Sequence, residues 1–226
     1  PELSFMEQKT AARIASELTA MGYDVTTGIA ETGVVALMEN GDGPLVMLRA
    51  DMDGLPVEEK SGLSYASTAT QVDWNGNEVP VMHACGHDVH VTSLVGTARI
   101  MATHRDEWSG TLMLIGQPAE ERVAGAKKMM EAGVWEQFGK PDYALAFHVA
   151  SGVPAGQLVA DCIGVVVGCG DTSRGSSHGL DCELRDELIS SWRRYAQDPD
   201  DQVERWLRQG SPMGIALKPQ SCGIFP

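Results

Sequence analysis

Apolar positions recur at helical spacing in the opening segment, where Ala11, Ile14, Ala15, Leu18 and Met21 line one side of a helix until Gly22 ends the run. Ser4 and Glu7, three residues apart and just ahead of it, read as a capping box. The period then shortens. Gly33 to Glu39 and Leu45 to Ala50 are short β-rich runs, and Asn40-Gly41-Asp42-Gly43-Pro44 between them reads as a hairpin connection. A second helical stripe, Val91, Leu94, Val95, Ala98, Met101 and Ala102, starts from about His87. Thr111 to Ile115 predicts a strand ending in Gly116-Gln117-Pro118, Ala124 to Ala132 a helix closed by Gly133, and Tyr143 to Val149 another strand. Past Gly156 the pattern loosens, with one further helix predicted from Asp198-Pro199 through Val203, Trp206 and Leu207 to Gly210.

This order of elements is that of an α/β layer, in which ligand sites gather beyond the carboxyl ends of strands. Three motifs sit there. His83-Ala84-Cys85-Gly86-His87-Asp88 occupies the loop entering the second helix; Glu120-Glu121 lies just past a strand end; His148 is near the end of the last strand. Cys85 and His87 offer a soft thiolate and an imidazole in one tight turn, and the helix N-terminus behind them is expected to favour the thiolate. Nearby His83 and His90 raise the local imidazole density, or serve only to hydrogen-bond the turn. In an extended segment adjacent glutamates point apart, so one could ligate a metal while the other faces water; paired glutamates at a helix start are also ordinary solvated caps. His148 reads as a ligand or as a core histidine. Taken together, sulfur, imidazole and carboxylate suit a dinuclear zinc or manganese site. Asp51 and Asp53, ending the Leu45 to Ala50 strand, could be ligands or carboxylates that orient the histidines, and the orienting role is preferred over a plain turn role.

Composition narrows the partners. The formal charge of −14, from 17 basic and 31 acidic residues, excludes a basic footprint for nucleic acid or an anionic membrane surface and leaves small molecules. No apolar stretch is long enough to span a bilayer, and the start lacks the layout of a secretory signal. Cys85 stands apart from Cys162, Cys169, Cys182 and Cys222, and the spacing forms no disulfide framework, so a reducing, cytoplasmic setting is the default. The start at Pro1 reads as a clipped N-terminus, which leaves localisation open. Residues 1–160 read as one α/β domain and residues 161–226 as a divergent, mostly helical or irregular tail.

Pro1-Glu2-Leu3-Ser4-Phe5, Arg49 to Pro56, His83 to His90, Gln117 to Glu121 and Phe147-His148 closely resemble successive motifs of the dinuclear metallo-amidohydrolases, the group of hippurate hydrolases, N-acyl amino acid amidohydrolases and auxin-conjugate hydrolases. The resemblance implies a zinc-peptidase-like catalytic domain with a smaller lid domain inserted in it. It also implies that Cys85, His87, Glu121 and His148 ligate two divalent metals, manganese or zinc, and that Glu120 is the general base. The implied reaction is hydrolysis of an N-acyl amino acid amide: the metals polarise a water, Glu120 takes its proton and returns it to the departing amine. Homodimers are expected of intact members.

The tail departs from that pattern. A lid beginning near Asp161 is absent or rudimentary, and only Arg174-Gly175-Ser176-Ser177-His178-Gly179 is similar to the family's glycine-rich segment, which would make His178 a substrate-binding residue. The last histidine ligand of the family falls beyond the available length. Asp186 to Pro226 instead resembles a segment found upstream of reverse transcriptase in retroelement polyproteins. The expected alternatives are therefore a non-catalytic hydrolase remnant or fusion product and, from a different chemistry, a thiol enzyme built on Cys85 with a histidine base.

Overall fold

The computed structural model describes residues 1–149; the tail helix, the lid region, the 161–226 segment and His178 lie outside the described residues. In chain order the described part runs α1 (Gln8–Ala20), β1 (Asp24–Ile29), β2 (Gly33–Asn40), β3 (Leu45–Asp51), β4 (Thr70–Val72), β5 (Glu78–Pro80), α2 (His87–Thr103), β6 (Gly110–Gln117), α3 (Gly125–Glu131), α4 (Val134–Phe138) and β7 (Tyr143–Ala146). Among the described residues, five strands form one sheet in the order β1-β2-β6-β3-β7, and β4 and β5 pair separately.

Both faces of this sheet are covered. Ile14 and Leu18 of α1 and Leu94 and Ala98 of α2 pack on one face against Val34, Ala36, Leu112 and Leu114. Met129 of α3 and Val134 of α4 pack on the other against Val35, Met47, Met113 and Ile115. The residues of β6 therefore alternate between two apolar layers, which is why Leu112-Met113-Leu114-Ile115 carries no polar position at all. The period-2 geometry of a strand sorts such a run by itself.

The hairpin expected between β2 and β3 does not form. Strand β6 lies between them, antiparallel to β2 (Leu37 beside Met113) and parallel to β3 (Leu48 beside Leu114). The turn residues 40–44 reverse the chain as their composition requires, but the middle position goes to the strand that can bury both faces. β7 continues the parallel set on the far side of β3, with Arg49 beside Ala146. The parallel neighbours β6, β3 and β7 thus end along one edge, at Gln117, Asp51 and Ala146.

The capping box is a second correction. Glu7, the residue just before α1, makes no side-chain cap. Glu2, only 8% exposed, caps the helix from outside: its carboxylate accepts the N–H groups of Lys9 (3.0 Å) and Thr10 (2.7 Å) and the Thr10 hydroxyl (2.9 Å). Ser4 and Glu7 turn inward instead, towards the edge where the three strands end. No helix among the described residues is long and apolar enough to cross a membrane.

Candidate metal centre

Four elements deliver side chains to that edge. α2 begins at His87, and its buried residues His87, His90, Leu94 and Ala98 follow helical spacing, so the core stripe carries both histidines at its N-terminal end. Gly86 before it takes a left-handed φ of 78°, a conformation open to glycine, and turns Cys85 back towards the edge. Asp51 closes β3 and Asp53 follows it. Glu120 and Glu121 sit in a tight turn after β6, closed by the Val123 N–H on the Glu120 carbonyl (2.7 Å), rather than in the extended segment expected. His148 lies two residues past β7.

The side chains converge. Ligand atoms of Cys85, His87 and Glu121 lie within 4.8 Å of one another, as do those of Asp51, His87, His90 and His148, so His87 belongs to both groups. Cys85 Sγ is 3.6 Å from His148 Nε2. His87 is fully buried, and neither ring nitrogen has a hydrogen-bond partner. Its Nε2 faces Asp51 Oδ2 at 3.6 Å, Glu121 Oε1 at 3.7 Å and Glu120 Oε2 at 3.8 Å, while Nδ1 lies 3.3 Å from Asp53 Oδ1. That last contact has the separation of an ion pair but not the direction of a hydrogen bond.

Asp53 organises the turn. Its Oδ2 accepts the Ser4 hydroxyl (2.6 Å) and the Glu121 N–H (3.1 Å), and its Oδ1 accepts the Glu120 N–H (3.0 Å). One carboxylate, 1% exposed, thereby fixes the backbone of both glutamates beside His87. These donors and the His87 charge overcome the burial that opposes ionisation, and Asp53 is held below the usual carboxylate range.

Asp51 and His90 form a second unit. His90 Nδ1 meets Asp51 Oδ1 at 2.5 Å, and its Nε2 accepts the Val149 N–H at 2.9 Å. Accepting at Nε2 places the ring proton on Nδ1, where Asp51 takes it. Both nitrogens are thus occupied, and His90 anchors the residue after His148 instead of offering a lone pair to a cation. The two rings stand 4.4 Å apart. Arg49 Nη1 donates to Asp51 Oδ2 at 2.8 Å.

Burial pushes the Asp51 carboxyl up, but the His90 hydrogen bond and the charges of Arg49 and His87 outweigh it and bring the pKa down to about 2. A depressed folded-state pKa contributes stability above the unfolded value, near 4. For the metal-free protein this contribution is expected to persist down to about pH 4 and to be lost as pH falls towards 2. Urea midpoints measured across that range should show a slope that Asp51→Asn flattens; parallel curves for the two proteins would exclude it.

The thiol behaves opposite to expectation. Burial, together with the carboxylates of Glu121, Glu120 and Asp51, pushes Cys85 up to about 11, outweighing the helix N-terminus. A metal-free thiolate nucleophile at neutral pH is therefore disfavoured. For His87, burial opposes the charged imidazole, but Asp53, Asp51 and Glu121 raise its pKa overall. Glu121 is raised by burial first, with Glu120 and Asp53 adding to it against the His87 charge. An acidic cage around an unpartnered imidazole and a reluctant thiol is what a bound cation would satisfy, so the donor set fits a divalent metal.

Residues 47–220 match peptidase family M20/M25/M40. The chain belongs to that family. An M20 relative of known structure, the Bacillus subtilis YXEP protein described as a dinuclear metal binding peptidase, is 38% identical with a TM-score of 0.60, over 70% of this chain and 41% of that one. The IAA-amino acid hydrolase ILR1-like 5 of Arabidopsis thaliana is 41% identical over 160 residues, covering 70% of this chain and 34% of its own. The hippurate hydrolase of Campylobacter jejuni is 42% identical over 149 residues, covering 66% and 36%. The chain spans about a third of the length of these curated relatives. The M20 match takes in most of residues 161–226, so the tail's likeness to a mobile-element segment gains no support from it.

Three supporting residues, Ser4, Glu7 and His90, do not stand out in the sequence: Ser4 and Glu7 fit a helix cap, and His90 is one imidazole among several. For His90 the signal is present, since it shares the i, i+3 stripe of His87 and the core residues.

Proposed function

We propose that residues 1–160 are the metal-binding and proton-transfer part of an amidohydrolase that cleaves N-acyl amino acids to a carboxylic acid and an amino acid. The observation that carries this reading is the buried, unpartnered His87, whose ring faces the carboxylates of Asp51, Asp53, Glu120 and Glu121, with the Cys85 thiol in the same cluster. Cys85, His87, Glu121 and His148 would hold two divalent cations, and the thiol favours zinc over manganese. Bound there, the cations supply Lewis-acid polarisation of the attacking water and of the scissile carbonyl.

The chain's own groups supply the rest. Glu120, 39% exposed against 18% for Glu121, stands on the solvent side of the cluster. It takes the proton from the water as the C–O bond forms and delivers it to the amine nitrogen as the C–N bond breaks. Asp53 holds Glu120 in place through the backbone, and His90 holds His148 through Val149. The names of the two hydrolase relatives each describe an acyl group joined to an amino acid, which is the basis for the substrate class.

The test uses the purified chain equilibrated with zinc or manganese, freed of excess metal, and incubated with N-benzoylglycine. Retained metal and release of glycine are expected. A chain that retains no metal and releases no glycine would count against the reading.

A further inference from the structure

Glu7 is a fully buried carboxylate that neither the metal cluster nor the proton transfer uses. Its Oε1 accepts the N–H of Ala119 at 2.8 Å, 112 residues away in sequence, and its Oε2 accepts the hydroxyl of buried Thr32 at 2.5 Å. Ala119 has no exposed surface and a positive φ of 47°, a left-handed conformation unusual for alanine. It immediately precedes Glu120. Three successive N–H groups, of Ala119, Glu120 and Glu121, are therefore taken by two buried carboxylates, the first by Glu7 and the next two by Asp53. Such a run of aligned N–H groups closes readily around an anion.

We infer that Glu7 is a positioning residue for the Glu120–Glu121 turn: it holds Ala119 in its left-handed conformation and so sets the direction in which the Glu120 carboxylate points. The catalytic consequence rests on the function proposed above, whereas the lock on the turn does not. Asp53 alone cannot do this, because its two oxygens reach only the N–H groups of Glu120 and Glu121 and leave the Ala119 N–H without an acceptor. The carbonyl of Ala119 is held on the other side by the N–H groups of Gly125 (3.2 Å) and Ala124 (3.3 Å), so losing Glu7 would release one end of an otherwise pinned loop. Burial raises the Glu7 pKa above the usual carboxylate range, in keeping with an acceptor kept away from water.

The test compares Glu7→Met, which keeps the volume and removes the acceptor, with Glu7→Gln, which keeps an oxygen for Ala119 and offers an N–H to Thr32. Thr32→Val, which only loosens the Glu7 carboxylate, serves as a milder variant should Glu7→Met not fold. Backbone amide exchange is read at Ala119 and, as a reference, at Met113 in the middle of β6, alongside kcat and KM for N-benzoylglycine. In Glu7→Met, exchange at Ala119 should rise at least about tenfold with Met113 unchanged, and kcat should fall about 10- to 100-fold with KM nearly constant, the range typical of residues that orient catalytic groups. Thr32→Val should move both in the same direction by less, and Glu7→Gln should restore both. Unchanged protection of Ala119, an equal rise at Met113, an unaltered kcat, or no recovery with glutamine would each overturn the assignment. If the unsubstituted chain releases no glycine at all, the proposed function fails, and the exchange at Ala119 still decides whether Glu7 locks the turn.

Discussion

Glu120→Gln should lower kcat for an N-acyl amino acid by about 10²- to 10⁴-fold while leaving the bound metal in place. Glutamine has the shape of glutamate, and the backbone N–H that Asp53 holds is untouched by the change. What disappears is the proposed base for the attacking water and the proton donor to the amine. Metal content separates this effect from loss of the site, because the proposed ligands Cys85, His87, Glu121 and His148 all remain. A variant that kept more than about a tenth of the activity would show that Glu120 does not carry the proton.

Asp53→Ala should be far more disruptive, lowering stability by about 3–5 kcal/mol and stripping the metal. The carboxylate is buried with the Ser4 hydroxyl, the N–H groups of Glu120 and Glu121 and the Nδ1 edge of His87 around it. Removing it leaves the buried Ser4 hydroxyl and the partly buried N–H groups of Glu120 and Glu121 without their acceptor, and each such loss is costly. Asp53→Asn is expected to fall between, since its amide nitrogen would face a donor. Denaturant midpoints and metal stoichiometry measure the two effects separately. An alanine variant with unchanged midpoint and full metal would mean that the turn is held by other contacts.

These two predictions rest on residues that were readable to different degrees. Cys85, His87, Glu120, Glu121 and His148 could be picked out because each falls at a strand end or a helix start, where an α/β layer collects its ligands. Asp53 was legible as an orienting carboxylate but not as the acceptor for two consecutive backbone N–H groups. Ser4 and Glu7 fit a local capping rule, but their side chains find tertiary partners 49 and 112 residues away. Their spacing fits a capping box, yet the outlying Glu2 already caps α1. The β2–β3 connection carries the right turn residues, and pairing still went to β6, whose uninterrupted apolar run is stable only between two neighbours and two helical layers. β1 went unread because Asp24–Ile29 is a largely exposed strand with no clean alternation. The thiolate expectation failed because the helix N-terminus is a weak local effect, whereas the surrounding carboxylates were invisible until the chain was folded.

Cys85 and His87 are proposed to share bound cations with Glu121 and His148, and X-ray absorption at the edge of zinc bound to the purified chain reads that shell. A sulfur scatterer at about 2.3 Å alongside nitrogen and oxygen is expected, lost when Cys85 is replaced by serine. A shell of nitrogen and oxygen alone, identical in the chain and in Cys85→Ser, would contradict it.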